Sequence, residues 1–332
     1  MTISKPAYYD SFRCIAGDCP DSCCKEWEVQ VDPVSADYYR ALTGPLGDRL
    51  RQVLRDDENG GALMTIENGR CPMWREDGLC RIQAELGEDA LCQVCTDFPR
   101  LRHDYGDFLE LGLELSCPEA ARIIFSSQPG PFLEEEVPEE QEAEYDVEAM
   151  ASLKASRSAA LSLLQSPYTV SQRLALLLLY GYQAQAELDG VENLTFDPDT
   201  ALESALSFAK PGDIHQISGF FQSLEILTPG WSALLHQAAH VPVQAACIPL
   251  ARYLIERYWL QAVSDYDLAC RVKFIVIACL LVNALPGAFP ENAQLFSKEI
   301  ENNTENVEAI LDAAYSSAPF TDDKLLGMLL QS

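Results

Sequence analysis

The segment Cys14 to Cys24, C-I-A-G-D-C-P-D-S-C-C, constrains this chain more than any other. It places Cys14, Cys19, Cys23 and Cys24 within eleven residues. Cys71, Cys80, Cys92, Cys95 and Cys117 follow, so nine of twelve cysteines lie in the first 117 residues. Thiolates so crowded repel one another unless something neutralises them. The chemical solutions are disulfides, zinc or an iron–sulfur cluster.

Composition narrows the choice. The 332 residues suffice for a large core and suggest about two domains. The opening residues carry no apolar h-region, so no signal peptide is expected. The longest apolar run, Phe274 to Val282, is far shorter than the ~20 residues of a membrane helix. The expectation is a cytoplasmic protein with no membrane partner. Thiols stay reduced in that compartment, which favours metal over disulfides.

The net charge is −28. Residues 131–150 alone hold nine acidic and no basic side chains. No Lys/Arg stripe appears, which argues against nucleic acid. The acidity reads first as an aid to solubility alone; the competing reading is that it draws in a basic partner such as a lysine-bearing substrate.

The pattern predicts a mainly α protein: a small α+β cysteine-rich metal-binding domain followed by an α-helical domain. Boundaries are expected at 1–128 for the first, 129–142 for an acidic linker and 143–332 for the second. Gly17, Asp18, Pro20 and Asp21 favour tight turns in the first cysteine loop. Residues 28–32 alternate as a short strand. Asp32-Pro33 reads as an N-cap with Pro at the first helical position. Arg81 to Leu86 reads as a helix stopped by Gly87. Phe108 to Leu115 alternates like a strand, and Ser116-Cys117-Pro118-Glu119 opens a helix running to about Ser126. Cys117 therefore lies at a helix N-terminus, a position expected to lower its pKa. After the linker, helical spacing dominates, including Val170–Leu188, Asp265–Leu285 and Asp322–Leu330.

The first cysteine group is C-x4-C-x3-C-C, unlike paired zinc knuckles. Cys92-x2-Cys95 supplies one knuckle without a clear second. Iron–sulfur clusters accept irregular spacing, because cysteines from several loops converge on a larger body. Eight thiols could divide four and four, or serve one cluster with spares beside it. Cys247, Cys270 and Cys279 lie in apolar helical stretches and are expected to pack as small hydrophobes. His103 is a possible ligand but more often such a residue is structural. His215, His236 and His240 receive no role.

Several ordered motifs resemble the flagellin lysine-N-methylase family. They are Pro6-Ala7-Tyr8-Tyr9, Phe12-Arg13-Cys14, and Cys19-Pro20-Asp21-Ser22-Cys23-Cys24-Lys25-Glu26-Trp27. Cys71-Pro72, Gly78-Leu79-Cys80-Arg81-Ile82, Cys95-Thr96-Asp97-Phe98-Pro99-Arg100 and Leu115 to Arg122 continue the match. The resemblance is dense over residues 6–125. The layout is also similar to the wider CxxCxxCC family of zinc- or iron-chelating proteins.

The resemblance implies methyl transfer from S-adenosylmethionine to lysine side chains of flagellin. It also implies an iron–sulfur centre of the [4Fe–4S] type, with zinc as the alternative metal. Carried over by motif, the ligands are Cys14, Cys19, Cys23, Cys24, Cys71, Cys80, Cys95 and Cys117. Cys92 stands where the family would have a small polar residue and reads as an extra thiol. Asp18, Asp21, Glu26 and Asp97 are candidate bases. Tyr8, Tyr9, Trp27 and Trp74 could hold a cation over a ring. No G-x-G-x-x-G follows a strand, and the C-x3-C-x2-C spacing of radical S-adenosylmethionine enzymes is absent. The competing reading is a non-catalytic iron- or zinc-binding protein, or a scaffold that docks a partner.

Overall fold

The computed structural model describes the chain except residues 25–27, 58–59, 139–140, 193 and 332. Glu26 and Trp27, singled out above, therefore lie outside the described residues. The described residues are mainly helical with two small sheets. They form two compact units: Met1–Tyr9 with Arg102–Ser116 and Ala121–Ser332, and Asp10–Leu101 with Cys117–Ala120.

This division differs from a cut at 128 and 142, and strand pairing is the reason. The strands are β1 (Thr2–Pro6), β2 (Val29–Val31), β3 (Leu54–Asp56), β4 (Ala62–Met64), β5 (Arg100–Asp104), β6 (Phe108–Leu113) and β7 (Phe132–Glu136). A four-stranded sheet runs β5-β6-β1-β7. β1 lies parallel to β6, with Ile3 opposite Leu109. It lies antiparallel to β7, with Thr2 opposite Glu136 and Pro6 opposite Phe132. Residues 132–136, expected as linker, are thus a strand. The first residues of the chain belong with the helical unit, not with the cysteines that follow them.

The helical unit is built round Leu268–Ala284, whose 17 residues are all buried. A helix apolar on every side must be enclosed on every side. Asp267 caps it, its Oδ1 accepting the Cys270 N–H at 3.2 Å. Its polar side chains are each answered. Lys273 Nζ lies 3.2 Å from Asp322, and Arg271 meets both oxygens of Asp265 at 2.9 Å. Asn283 accepts the Gln244 N–H at 3.0 Å. Helix Val170–Leu188 packs closely here, since a Cβ on Gly181 would stand 2.7 Å from Val272 Cγ1. No helix among the described residues is long and apolar enough to cross a membrane.

Helix Phe289–Phe296 was not anticipated, and it starts with Pro290 inside its first turn. Cys247, Cys270 and Cys279 are buried as expected. Each offers its thiol to a carbonyl oxygen: Cys247 to Cys279, Cys270 to Asp267 and Cys279 to Cys247, at 3.5–3.8 Å.

Buried charge also marks this unit. Glu110, on β6, takes both guanidinium nitrogens of Arg157 at 2.7 and 2.8 Å. Tyr253 Oη accepts from Arg257 at 2.7 Å and from the Leu115 N–H at 3.3 Å, and donates to the enclosed Glu301 at 3.1 Å. Buried pairs are costly to break from one side, because a lone charge remains. R157M is therefore expected to lower stability by about 3–5 kcal/mol, measured as a lower urea midpoint at unchanged slope. The E110L/R157M double variant should recover most of that loss. A cost near that of an exposed pair, ~1 kcal/mol or less, would show that the pair is not held as a buried one.

Candidate metal centre

All nine N-terminal cysteines fall in the second unit, Asp10–Leu101 with Cys117–Ala120. All are free thiols. The unit's scaffold is a three-stranded sheet of order β2-β4-β3 with helices Pro33–Ala41 and Gly44–Val53. Asp32 begins this scaffold as the sequence predicts. Its Oδ1 caps the first helix through the Ser35 N–H, and its Oδ2 takes the Gln93 N–H, both at 2.9 Å. Burial opposes the Asp32 charge, but the N–H groups of Gln93 and Ser35 hold its pKa below the usual value. One carboxylate thus ties the helix start to the turn that carries Cys92 and Cys95.

The thiols sort by packing. Cys71 and Cys92 belong to the buried core that includes Val31, Tyr39, Leu50 and Met73. Cys24, Cys80 and Cys95 pack against the same core, half-buried. Cys14 and Cys23 are exposed, Cys19 is half-buried, and Cys117 is buried. Hydrogen bonds follow the same division. Cys23 donates to Cys24, and Cys24 donates to Cys71. Cys95 donates to Cys92. Cys80 feels the charge of both Cys23 and Cys92. Cys117 feels that of Cys19 and Cys14. Cys23 therefore joins a core-side group (Cys24, Cys71, Cys80, Cys92, Cys95) to an outer group (Cys14, Cys19, Cys117).

The turns share a second feature. The Ala16 N–H points at Cys14 Sγ at 3.4 Å. Cys19 accepts from the N–H of Asp21, and Cys71 from that of Met73. Cys80 accepts from Ile82 and Gln83, Cys92 from Cys95, and Cys117 from Glu119 and Ala120. Each donor lies two or three residues ahead of its sulfur. N–H groups aimed at sulfur stabilise thiolate and tune a bound centre.

Protons are unevenly held across this set. The hydrogen bond from Cys24 lowers the Cys71 pKa, and that from Cys95 lowers Cys92. Their partners bear the opposite shift: Cys23 and Cys95 are pushed far up by donating. Cys24 is held down by Cys23 but pushed up by Cys71 and by burial, to about 12 overall. Burial raises Cys80 and Cys19. Cys117 corrects an expectation. It does precede helix Pro118–Ser126, yet burial outweighs the N–H groups of Ala120 and Glu119 and lifts its pKa to about 12.

Does this set suit a metal? Among the described residues, no three His, Cys, Asp or Glu side chains make a ready cage for a single ion. The donors are instead neighbouring sulfurs, strung in two linked groups and backed by N–H groups. A set of thiols without histidine is the chemistry of zinc or iron–sulfur binding. A polynuclear cluster accepts sulfurs spread more widely than one ion does. Cys14, Cys19, Cys23, Cys24, Cys71, Cys80, Cys95 and Cys117 all lie in one unit, as a shared thiolate-held centre would require.

The other candidates are arranged less suggestively. Asp18 is exposed on the turn Ala16–Asp18. Asp21 accepts the N–H of Ser22 at 2.8 Å, and Asp97 accepts from Gln93 Nε2 at 2.7 Å. These two acids brace their own turns. Arg70 stands 3.8 Å over the Trp74 ring, so that face already has a cation. Tyr8 and Tyr9 belong to the helical unit, where Tyr8 donates to Glu256 at 2.9 Å. His103 is there too, its pKa lowered by burial and by Arg257. Cys92, read from the sequence as an extra thiol, lies in the buried core and accepts a hydrogen bond from Cys95.

No family model matches the chain, and no solved structure matches it. Curated relatives do. A lysine-N-methylase of Salmonella choleraesuis is 30% identical over 141 residues, 41% of this chain and 35% of that protein. A lysine-N-methylase of Salmonella typhimurium is 30% identical over the same shares. The match thus spans about a third of the length of these two relatives. The flagellar biosynthetic protein FliU of Salmonella muenchen is 31% identical over 132 residues, which cover 38% of this chain and 78% of FliU. On that coverage, and with the cysteine turns described above, the chain belongs to the flagellin lysine-N-methylase family.

Proposed function

We propose that this protein is an S-adenosylmethionine-dependent protein-lysine N-methyltransferase that acts on flagellin and carries a cysteine-ligated metal centre. The observation that supports the centre is the gathering of nine thiols in one unit, with N–H groups aimed at their sulfurs. Support for the reaction is the kinship with proteins named lysine-N-methylase, and for the substrate the flagellar name of FliU.

The chemistry is a displacement at carbon. The lysine nitrogen lone pair forms the N–CH3 bond as the sulfonium S–CH3 bond breaks, leaving a neutral thioether. The new ammonium then loses its proton to solvent or a carboxylate. Only the neutral amine attacks, so the protein must desolvate the lysine or remove its proton first. The net charge of −28 favours encounter with a basic segment. When bound, the centre supplies cross-links among cysteine turns whose own core is small.

Two measurements test this reading. Full-length protein, purified anaerobically, is incubated with flagellin and methyl-labelled S-adenosylmethionine. Label is expected on flagellin lysines and is expected to vanish when the donor is omitted. Metal-loaded protein that transfers no label leaves a metal-binding protein without the activity. Metal removal by a chelator tests the centre. Proteolytic cleavage is expected to rise selectively within residues 10–101, while helices such as Leu268–Ala284 stay protected. Equal cleavage before and after chelation would remove the structural role assigned to the metal.

A further inference from the structure

Resting on the lysine-methylase reading, we propose that the outer edge of β7 docks an extended, lysine-bearing segment of the protein substrate, which pairs with it as one more strand.

β7 is the last strand in the order β5-β6-β1-β7. Its pairing with β1 fixes which backbone groups are already used. Met1 and Val137 exchange both bonds: the Met1 amine donates to the Val137 carbonyl at 3.3 Å, and the Val137 N–H donates back at 3.0 Å. Such pairs alternate with non-bonded ones along an antiparallel ladder. In this register the next bonded pairs are Ile3 with Glu135 and Lys5 with Leu133. Phe132, Glu134 and Glu136 therefore turn their N–H and C=O groups away from β1. Residues 133–136 are all exposed, so among the described residues nothing covers this row.

Sheet edges are usually blunted by lysine, proline, a bulge or shortness. β7 has none of these: it runs five residues in unbroken register with β1 and contains neither Pro nor Lys. Leu133 even leaves an apolar side chain 46% exposed on it. What guards this edge is charge. Glu134, Glu135 and Glu136 repel any acidic strand, a second β7 included. The same row favours a basic strand, because opposite charges across a strand pair attract. Successive side chains alternate between faces, so Glu134 and Glu136 share one face while Leu133 and Glu135 share the other. Glu136 is steadied there by the Thr2 hydroxyl, which donates to it at 3.0 Å. The strand that fits is extended, carries lysine or arginine opposite the glutamates and sets an apolar residue against Leu133. Backbone bonds would hold it and side chains would select it. The chain's net charge of −28 draws such a segment in.

The test uses the full chain as wild type, E134Q, E134P and E203Q, with flagellin and a short peptide of alternating lysine and threonine as probes. E134Q removes one charge. E134P removes the same charge and the outward N–H, yet keeps the β1 bonds, because proline is tolerated where the N–H faces solvent. E203Q removes a charge from an exposed position on helix Pro198–Phe208. Binding of both probes is expected to weaken about threefold in E134Q, to weaken about tenfold in E134P, and to keep the wild-type value in E203Q. Far-UV circular dichroism checks that E134P is folded. Should it not fold, amide exchange in the wild type decides. The Glu134 and Glu136 amides are expected to exchange fast alone and slowly with either probe, while those of Leu133 and Glu135 stay slow throughout. Equal binding by E134P and E134Q, or no protection of Glu134 and Glu136 on binding, overturns the proposal. So does wild-type protein that binds neither probe, or a wild-type dimer that E134P abolishes, which gives the edge to a second copy. Methyl transfer with the same KM for flagellin in wild type and E134P keeps the methylase reading and overturns the docking edge. Edge-dependent binding of the peptide without methyl transfer to flagellin supports basic-strand docking and removes the methylase reading.

Discussion

Crowded sulfur is the constraint on which the cysteine unit depends. Nine thiols share one small fold, and its core of Val31, Tyr39, Leu50 and Met73 is modest. They cannot all ionise side by side without a compensating charge, and they cannot all be buried as inert hydrophobes while N–H groups face them. The fold's local solution is a relay in which Cys23 serves Cys24 and Cys24 serves Cys71. That relay lowers the Cys71 pKa and raises that of Cys23. The proposed metal would reverse the balance by favouring thiolate at its ligands, and its uptake would then release protons. Such a unit would be ordered by its centre as much as by its apolar contacts.

Much of this was legible in the chain because the signals were local. Asp32 before Pro33 caps its helix as its side chain dictates. Gly87 ends helix Arg81–Leu86 at a positive φ of 93°, where a side chain would be strained. Val170–Leu188 has both its ends where the spacing puts them. The sequence was less readable wherever a distant partner decides. Residues 132–136 have no strand alternation, yet β1 pairs with them along five residues. Glu110 sits in a strand whose polar residues should face water, but Arg157, 47 positions away, draws it inward.

The thiols show both outcomes at once. That nine would share one unit followed from their density. The state of each did not. Cys117 meets a helix N-terminus as its Pro118-Glu119 sequel requires, but burial outweighs the helix and raises its pKa.

One feature of the sheet bears on how the molecule comes into being. β1 is made within the first six residues, but its neighbours β6 and β7 end at Leu113 and Glu136. Everything from Asp10 to Leu101 leaves the ribosome in between. The leading strand must therefore wait unpaired through the whole synthesis of the thiol-bearing segment. That segment therefore has time to collapse on its own core before the sheet that begins with β1 is complete. Synthesis order thus lets the cysteine unit form before its neighbour's sheet has all its strands.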